Sequence, residues 1–345
     1  MNALCRTVFS VGPHSFDWAD VVVAGHSWGR WTDLEHEVGE GLACQQLAES
    51  AGETLTSDEI EDAAREFRDE RDLASAEEAE AWLAERDVSV PDLFEYLERR
   101  LMRSRLAARL GDMAGRDAAD PEALERVIVH AGFLSGLLER LAVDLAGRAA
   151  LAVEGGALDE RDDAATGIAS PSAIVGLACL PPQAFARKVL RFARVESHHE
   201  RLAREGGAPD AIESVIRDHQ LEWMQAEFAR LRFTDVGAAR EAQMCLGVDG
   251  EDVAAVAAAA RVGIEEVRAY LDSLAPAAAE RLLSASPGEP LGPFESEGAF
   301  EILVLMSKHP PSAAEPETGK RAEAHLLAHR EEAAMHRSVR WEWRT

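Results

Sequence analysis

The chain has 345 residues, enough for two domains and a substantial buried core. Hydrophobic residues make up 47% of it and aromatic residues only 6%, with a large share of alanine, a balance that favours helices over sheets. Against 36 basic side chains stand 63 acidic ones, and the net charge of −27 repels phosphate backbones and anionic lipid surfaces alike, so neither nucleic acid nor membrane is an expected partner. An acidic surface that keeps a helical protein in solution accounts for this charge, and attraction of basic peptide segments is a second account. Cys5, Cys44, Cys179 and Cys245 are scattered and form no C-x-x-C spacing, as expected of buried thiols in a reducing cytosol. Residues 1–20 hold no apolar run of signal-peptide length, and no stretch approaches the roughly 20 apolar residues of a spanning helix. A cytoplasmic location is expected.

In chain order, the β-branched run Val21–Ala24 predicts a short strand ending in a turn at Gly25-His26. Thr32-Asp33 caps a helix to about Ser50, and Gly52 closes it. Thr56 or Ser57 caps the next, which runs to about Asp69 with acidic residues at the positive end of its dipole and with Ile60, Ala63, Ala64 and Phe67 on one face. Ser75 caps a helix over Ala76–Glu85 with Trp82 and Leu83 inward, and Pro91 suits the first turn of another over Asp92–Leu110. Asp117–Asp120 with Pro121 reads as linker and cap before a long helix to about Val153, interrupted at most by Gly132 and Gly136. Glu154 to Ser170 reads as an exposed loop, Leu177 to Glu205 as a helix with a bend at Pro181-Pro182, and Pro209 to Phe228 as the last helix of this series. The stretches 33–110 and 127–205 share an order of helices, which fits either an internal duplication or the mutual likeness of amphipathic helices.

The pattern changes near residue 229. A strand over Ala229–Phe233 is followed by an amphipathic helix, an Asp249-Gly250 turn and a second helix. Arg261 to Ala279 has mostly helical pattern, and Pro/Gly turns then surround two short strands, Leu291–Phe294 and Ala299–Met306. His309 to Ser312 ends this module, Lys320 to Arg337 reads as a helix, and Val339–Trp343 alternates as a half-buried strand does.

Within the module, Gly250-Glu251-Asp252-Val253, Val256-Ala257, Pro287-Gly288-Glu289, Gly292-Pro293 and the strand from Gly298 to Leu305 follow one another at a spacing that resembles the SurA/PpiC class of peptidyl-prolyl isomerase chaperones. From Val21 to Leu110, the segment around Val21–Gly25 and the order T-S-D-E-I, W-L, P-D-L, L-x-R-x-L are similar to the N-terminal chaperone region of the same class. The resemblance implies a mostly-α, α+β protein: a helical chaperone domain over 1–228, a parvulin-like module over 229–309, and a segment 310–345 that returns to the helical domain, with Val339–Trp343 pairing with Val21–Ala24. It names a substrate class, unfolded or proline-containing polypeptide.

The resemblance also sets expectations for chemistry. Prolyl isomerisation needs a twisted amide bound in an apolar pocket more than it needs covalent help. Parvulin-type sites carry two histidines that face each other across the central strands, the first in an A-x-H-I-L context and the second after the aromatic of G-[FY]-H-I. The matching segments here are Ala229 to Thr234, with no histidine, and Ala299-Phe300-Glu301-Ile302, where Glu301 stands in the histidine's place. A G-G-x-L-G-W segment is also missing. Glu301 is the one catalytic candidate, as an acid or hydrogen-bond acceptor, with a solvated carboxylate as the plain alternative. Phe233, Met244, Leu291, Phe294, Phe300 and Ile302 either line an apolar peptide groove or pack the module's own core.

Other constellations carry less. His325, His329, Glu331 or Glu332, and His336 share a helix, and Glu196, His198, His199 and Glu200 lie on another; each is first a solvated helix face, and no metal or cofactor is expected. Gly25-His26-Ser27-Trp28-Gly29 is similar in pattern to a hydrolase nucleophile elbow, but no α/β series follows it. No phosphate loop or dinucleotide fingerprint is present. The expected function is chaperone-like binding of an unfolded or precursor polypeptide, which family analogy extends to peptide natural-product maturation with a modifying enzyme as partner. An active prolyl isomerase and a non-catalytic scaffold subunit are the alternatives.

Overall fold

The computed structural model describes residues 3–110, 121–158, 174–178, 180–296 and 298–343. The fold is mostly α within the α+β class, and it divides into two compact units: Met1–Leu202 with Arg330–Thr345, and Ala203–His329. The expected linker at Asp117–Asp120, most of the expected loop over Glu154 to Ser170, and Cys179 lie outside the described residues.

The first unit opens with a hairpin, β1 (Thr7–Val11) and β2 (His14–Asp17), turning at Gly12-Pro13. Neither strand is foreseen from the sequence. Strand β7 (Val339–Trp341) adds to β1 in antiparallel register, Val11 opposite Val339 and Phe9 opposite Trp341. The expected pairing of Val339–Trp343 with Val21–Ala24 is therefore corrected: β1 is the partner, and Val21–Ala24 lies inside helix α1 (Trp18–Ser27). The cause is local. Asp17 accepts from the Asp20 amide and Asp20 accepts from the Asp17 amide, both at 3.0 Å, a capping box that starts a helix directly after β2. Val21, Val22 and Val23 are buried, and a short continuous apolar run does not by itself separate a buried strand from a buried helix. Burial pushes the Asp20 carboxyl up, but Arg191 and Lys188 together outweigh it and hold the group below its ordinary value.

Helix α2 (Arg30–Ala51) ends at Gly52, whose φ of 67° places it in the left-handed region where glycine costs least. Thr56 caps α3 (Ser57–Asp69) in a reciprocal box with Glu59, and Ser75 caps α4 (Ala76–Ala84). Helix α5 (Val90–Leu110) packs along α2. Phe67, Leu83, Val88, Leu93, Leu97 and Leu134 close one core cluster, and Cys44, Ala48, Met102 and Leu106 another. The expected long helix is broken at Ser135-Gly136 into α6 (Pro121–Leu134) and α7 (Leu137–Glu154), because Gly136 takes φ 68°. Helix α8 (Pro182–Glu205) begins at Pro182, at its first position rather than at a bend.

In the second unit α9 (Pro209–Asp218) stops ten residues before the expected Phe228, since Phe228 already belongs to strand β3 (Gln225–Phe233). Asp235 caps α10 (Val236–Gly247) and Asp252 caps α11 (Val253–Ala260). The stretch expected to be mostly helical contains strand β4 (Ile264–Tyr270) before α12 (Pro276–Ser284). Strand β4 is an exposed edge, and its run I-E-E-V-R-A-Y has too little apolar alternation to announce a strand. Strands β5 (Pro290–Ser296) and β6 (Ala299–His309) complete an antiparallel sheet in the order β4-β3-β6-β5. Side-chain alternation divides it. Leu231, Phe233, Ile302 and Val304 pack with α10 and α11, while Phe228, Leu291, Leu303 and Leu305 pack with α12. Helix α13 (Pro316–Ser338) follows, and Ala322 in its first half packs with Ile216 and Trp223. Among the described residues no helix is long and apolar enough to cross a membrane.

Candidate functional site

Glu301 lies in the middle of the module's sheet, paired in register with Arg232 of β3 on one side and Phe294 of β5 on the other. It is 8% exposed, so the reading of a solvated strand-edge carboxylate does not hold. Its Oε1 is 3.1 Å from Arg232 Nε and 3.9 Å from Arg230 NH1, and Arg230 is itself held by Glu265 at 2.8 Å. A guanidinium thus stands opposite Glu301, while Leu231, in the first histidine's place, is buried and pairs with Ile302. The Arg232–Glu301 pair satisfies the burial of Glu301. It also sets the Arg232 guanidinium against the carboxylate's Oε1.

The six apolar candidates do not converge on one surface. Phe233 and Ile302 are buried and Phe300 is half-buried in the cluster under α10 and α11. Leu291 is buried and Phe294 half-buried in the cluster under α12, on the opposite face of the sheet. Met244 stands apart on α10, 62% exposed. Five of the six therefore serve the two layers of the module's own core. The Gly292-Pro293 motif has a local reason as well. Gly292 has φ 119°, and a Cβ there would meet the Glu301 carbonyl oxygen at 2.6 Å, so the close approach of β5 to β6 requires glycine.

The apolar surface that does converge is in the first unit. Helices α3, α4 and the start of α5 enclose a cleft of about 300 Å³ whose floor is Ala64, Ala79, Leu83 and Leu93. Val90 and Phe94, four residues apart on α5, line it and are each 38% exposed. Charges of both signs rim it: Glu61, Arg65, Arg68 and Glu80. The sequence carries a signal for this site. Val90 and Phe94 form an apolar pair displaced from the Leu93/Leu97 stripe that α5 buries. An apolar pair off the core stripe marks a second contact surface.

The histidine clusters resolve into separate contacts. His325 meets the ring of His219 at 4.6 Å, and His219 stacks on Trp223 at 4.7 Å. His199 Nε2 reaches Glu331 at 2.6 Å, and His198 is buried. Among the described residues, the one group of three metal-type ligand atoms within 4.8 Å of one another is Cys245, Asp249 and Glu251, at the turn between α10 and α11. Burial and the neighbouring carboxylates of Glu251, Asp249 and Glu241 push the Cys245 thiol up. Ser27 is no nucleophile on an elbow: it sits in the last turn of α1 and donates to the Val23 carbonyl at 2.9 Å. Gly25 is needed there for another reason, since a Cβ would lie 2.6 Å from Leu141 Cδ1 of α7. Trp18, Trp31 and Trp223 are buried anchors, and the Trp31 indole donates to the Val175 carbonyl. Searched against protein-family models and against curated proteins, the chain matches none of either.

Proposed function

We propose that this chain binds an unfolded or flexible precursor polypeptide without isomerising it, in the manner of the SurA/PpiC-type chaperones that its motifs resemble. The observation that carries the reading is the cleft of α3, α4 and α5, with Val90 and Phe94 part-exposed above an apolar floor. Apolar rings and aliphatic side chains in an open cleft bind extended chains with little sequence preference, and a rim of mixed charge keeps the empty surface in solution. The module supports the binding reading over the catalytic one. Where the resemblance would place its two histidines it has Leu231, which is buried, and Glu301, which is ion-paired to Arg232, and five of its six apolar candidates pack its own sheet. Free thiols at Cys44 and Cys245 accord with work in the cytoplasm.

The test is saturable binding of a permanently unfolded polypeptide, reduced and carboxymethylated α-lactalbumin, followed by fluorescence anisotropy. A protease-coupled isomerisation assay on X–Pro peptides is run in parallel on the parent and on Glu301→Ala. Binding with no turnover above background is the expected result. Absence of binding removes the proposal, and turnover that Glu301→Ala abolishes replaces it with the isomerase reading.

A further inference from the structure

Helices α2, α5 and α6 of the first unit border a small cleft of about 40 Å³, walled by Leu34, Val38 and Gly41 of α2, Tyr96 and Arg99 of α5, and Ala131 of α6. Arg99 is the unexplained group in its wall. The residue is only 7% exposed, and no hydrogen bond or ion pair among the described residues involves it. Its stem is held in place: a Cβ on Gly41 would lie 2.6 Å from Arg99 Cγ, so glycine at 41 lets α2 close over the arginine. Its nitrogens are not sealed in, since none is among the polar atoms cut off from solvent without a partner. The other cations beside the cleft are matched. Arg100 pairs with Glu66 at 3.2 Å, and Arg103 pairs with Glu40 at 3.0 Å and with Glu37. Glu95, one turn before Arg99, is exposed and makes no ion pair with it. The cation left without a counter-ion is therefore the buried one. A guanidinium keeps its charge in proteins, and a buried charge without a partner is costly. Tyr96 lines the same cleft, and its hydroxyl has no hydrogen-bond partner among the described residues.

We infer that this cleft binds one carboxylate group, received by the Arg99 guanidinium and the Tyr96 hydroxyl. Both groups donate, and the guanidinium fork matches the two oxygens of a carboxylate. A volume of about 40 Å³ is little more than one water molecule's share of the liquid, which suits a planar carboxylate better than a tetrahedral phosphate. A water molecule in the cleft would supply an acceptor but no charge. An arginine whose stem is already packed loses little freedom when it takes its ligand. The cleft shares no lining residue with the apolar cleft of α3, α4 and α5, and its binding of a carboxylate does not depend on the polypeptide reading. The carboxylate belongs either to a free acid or to the bound polypeptide, and the experiment separates the two.

Acetate is the probe. Thermal unfolding of the full chain is followed at neutral pH in about 0.1 M sodium acetate and in the same concentration of sodium chloride. Arg99→Met keeps the stem over Gly41 and removes the cation, Tyr96→Phe removes the hydroxyl alone, and Arg240→Met is a control at an exposed site on α10. The parent and Arg240→Met are expected to gain about 3 °C or more in Tm from acetate over chloride, and Arg99→Met less than about 1 °C, with Tyr96→Phe between them. General salt effects are the same for all four chains, so the difference reports the cleft. No gain in the parent, or an equal gain in the parent and Arg99→Met, overturns the inference. Should Arg99→Met not fold, an equal gain in the parent and Tyr96→Phe overturns it. Phosphate that raises Tm of the parent above that of Arg99→Met where acetate does not overturns the carboxylate class. Anisotropy with carboxymethylated α-lactalbumin then names the source. Binding weakened about fivefold or more by Arg99→Met, as loss of a charge-assisted hydrogen bond would give, places the carboxylate on the polypeptide, and unchanged binding places it on a free acid. A parent that responds to acetate and does not bind α-lactalbumin keeps this site and removes the polypeptide reading alone.

Discussion

Phe94→Ala tests the apolar cleft most directly, because the ring divides between two environments. A buried phenylalanine contributes on the order of 200 Å². With 38% of the residue exposed, about 75 Å² remains for a bound polypeptide to cover, and about 125 Å² already packs within the unit. At about 25 cal/mol per Å² the first share is worth up to ~2 kcal/mol of binding, a 20- to 30-fold loss of affinity, and the second about 3 kcal/mol of stability. For a unit of this size that stability loss lowers Tm by roughly 6–12 °C. Both consequences are read on one sample, by anisotropy with carboxymethylated α-lactalbumin at 15 °C and by thermal unfolding. A fall in Tm with unchanged affinity would refute the reasoning: Phe94 would then be packing alone, and the polypeptide would bind elsewhere.

Further outcomes follow from particular contacts. Thr56→Ala removes the cap of α3 and is expected to cost about 1 kcal/mol, seen as a lower urea midpoint at unchanged slope. Gly25→Ala pushes a Cβ against Leu141 Cδ1 and is expected to destabilise the α1–α7 contact by about 1–3 kcal/mol; a neutral result would show that the Leu141 side chain moves aside. Burial, opposed by Asp92 and aided by Arg126, holds His130 below its ordinary value, so the fold favours the neutral ring. That contribution is fully present above the unfolded value near 6.5 and is lost as pH falls through the lower folded value. Tm is therefore expected to drop between pH 7 and pH 5, with a shallower drop in His130→Gln; equal slopes would contradict the assignment. A double-mutant cycle on Glu301→Gln and Arg232→Gln is expected to give a coupling below about 1 kcal/mol, since the Arg232 side chain is 46% exposed and water screens the pair.

Most helices are legible in the sequence, and so are several of their ends, because caps are local chemistry. Thr56 with Glu59, Ser75 and Gly52 each act within four residues of themselves, and nothing distant is needed to read them. Strands β5 and β6 and the second half of β3 are legible for a related reason, since alternation and turn residues mark them. Tertiary structure alone decided three things. Val21–Val23 is equally apolar as a strand or a helix, and burial on every side, beyond the local capping box at Asp17, fixes the helix. Strand β4 is mostly polar and exposed, and it exists because β3 offers it an edge. The candidate site was decided in the same way. A list of apolar residues does not say which face of a sheet each one takes, and a one-residue step moves a side chain to the opposite layer. Phe300 and Ile302 thus pack under α10 and α11 while Leu291 and Phe294 pack under α12, and the open apolar surface falls to Val90 and Phe94 in the other unit.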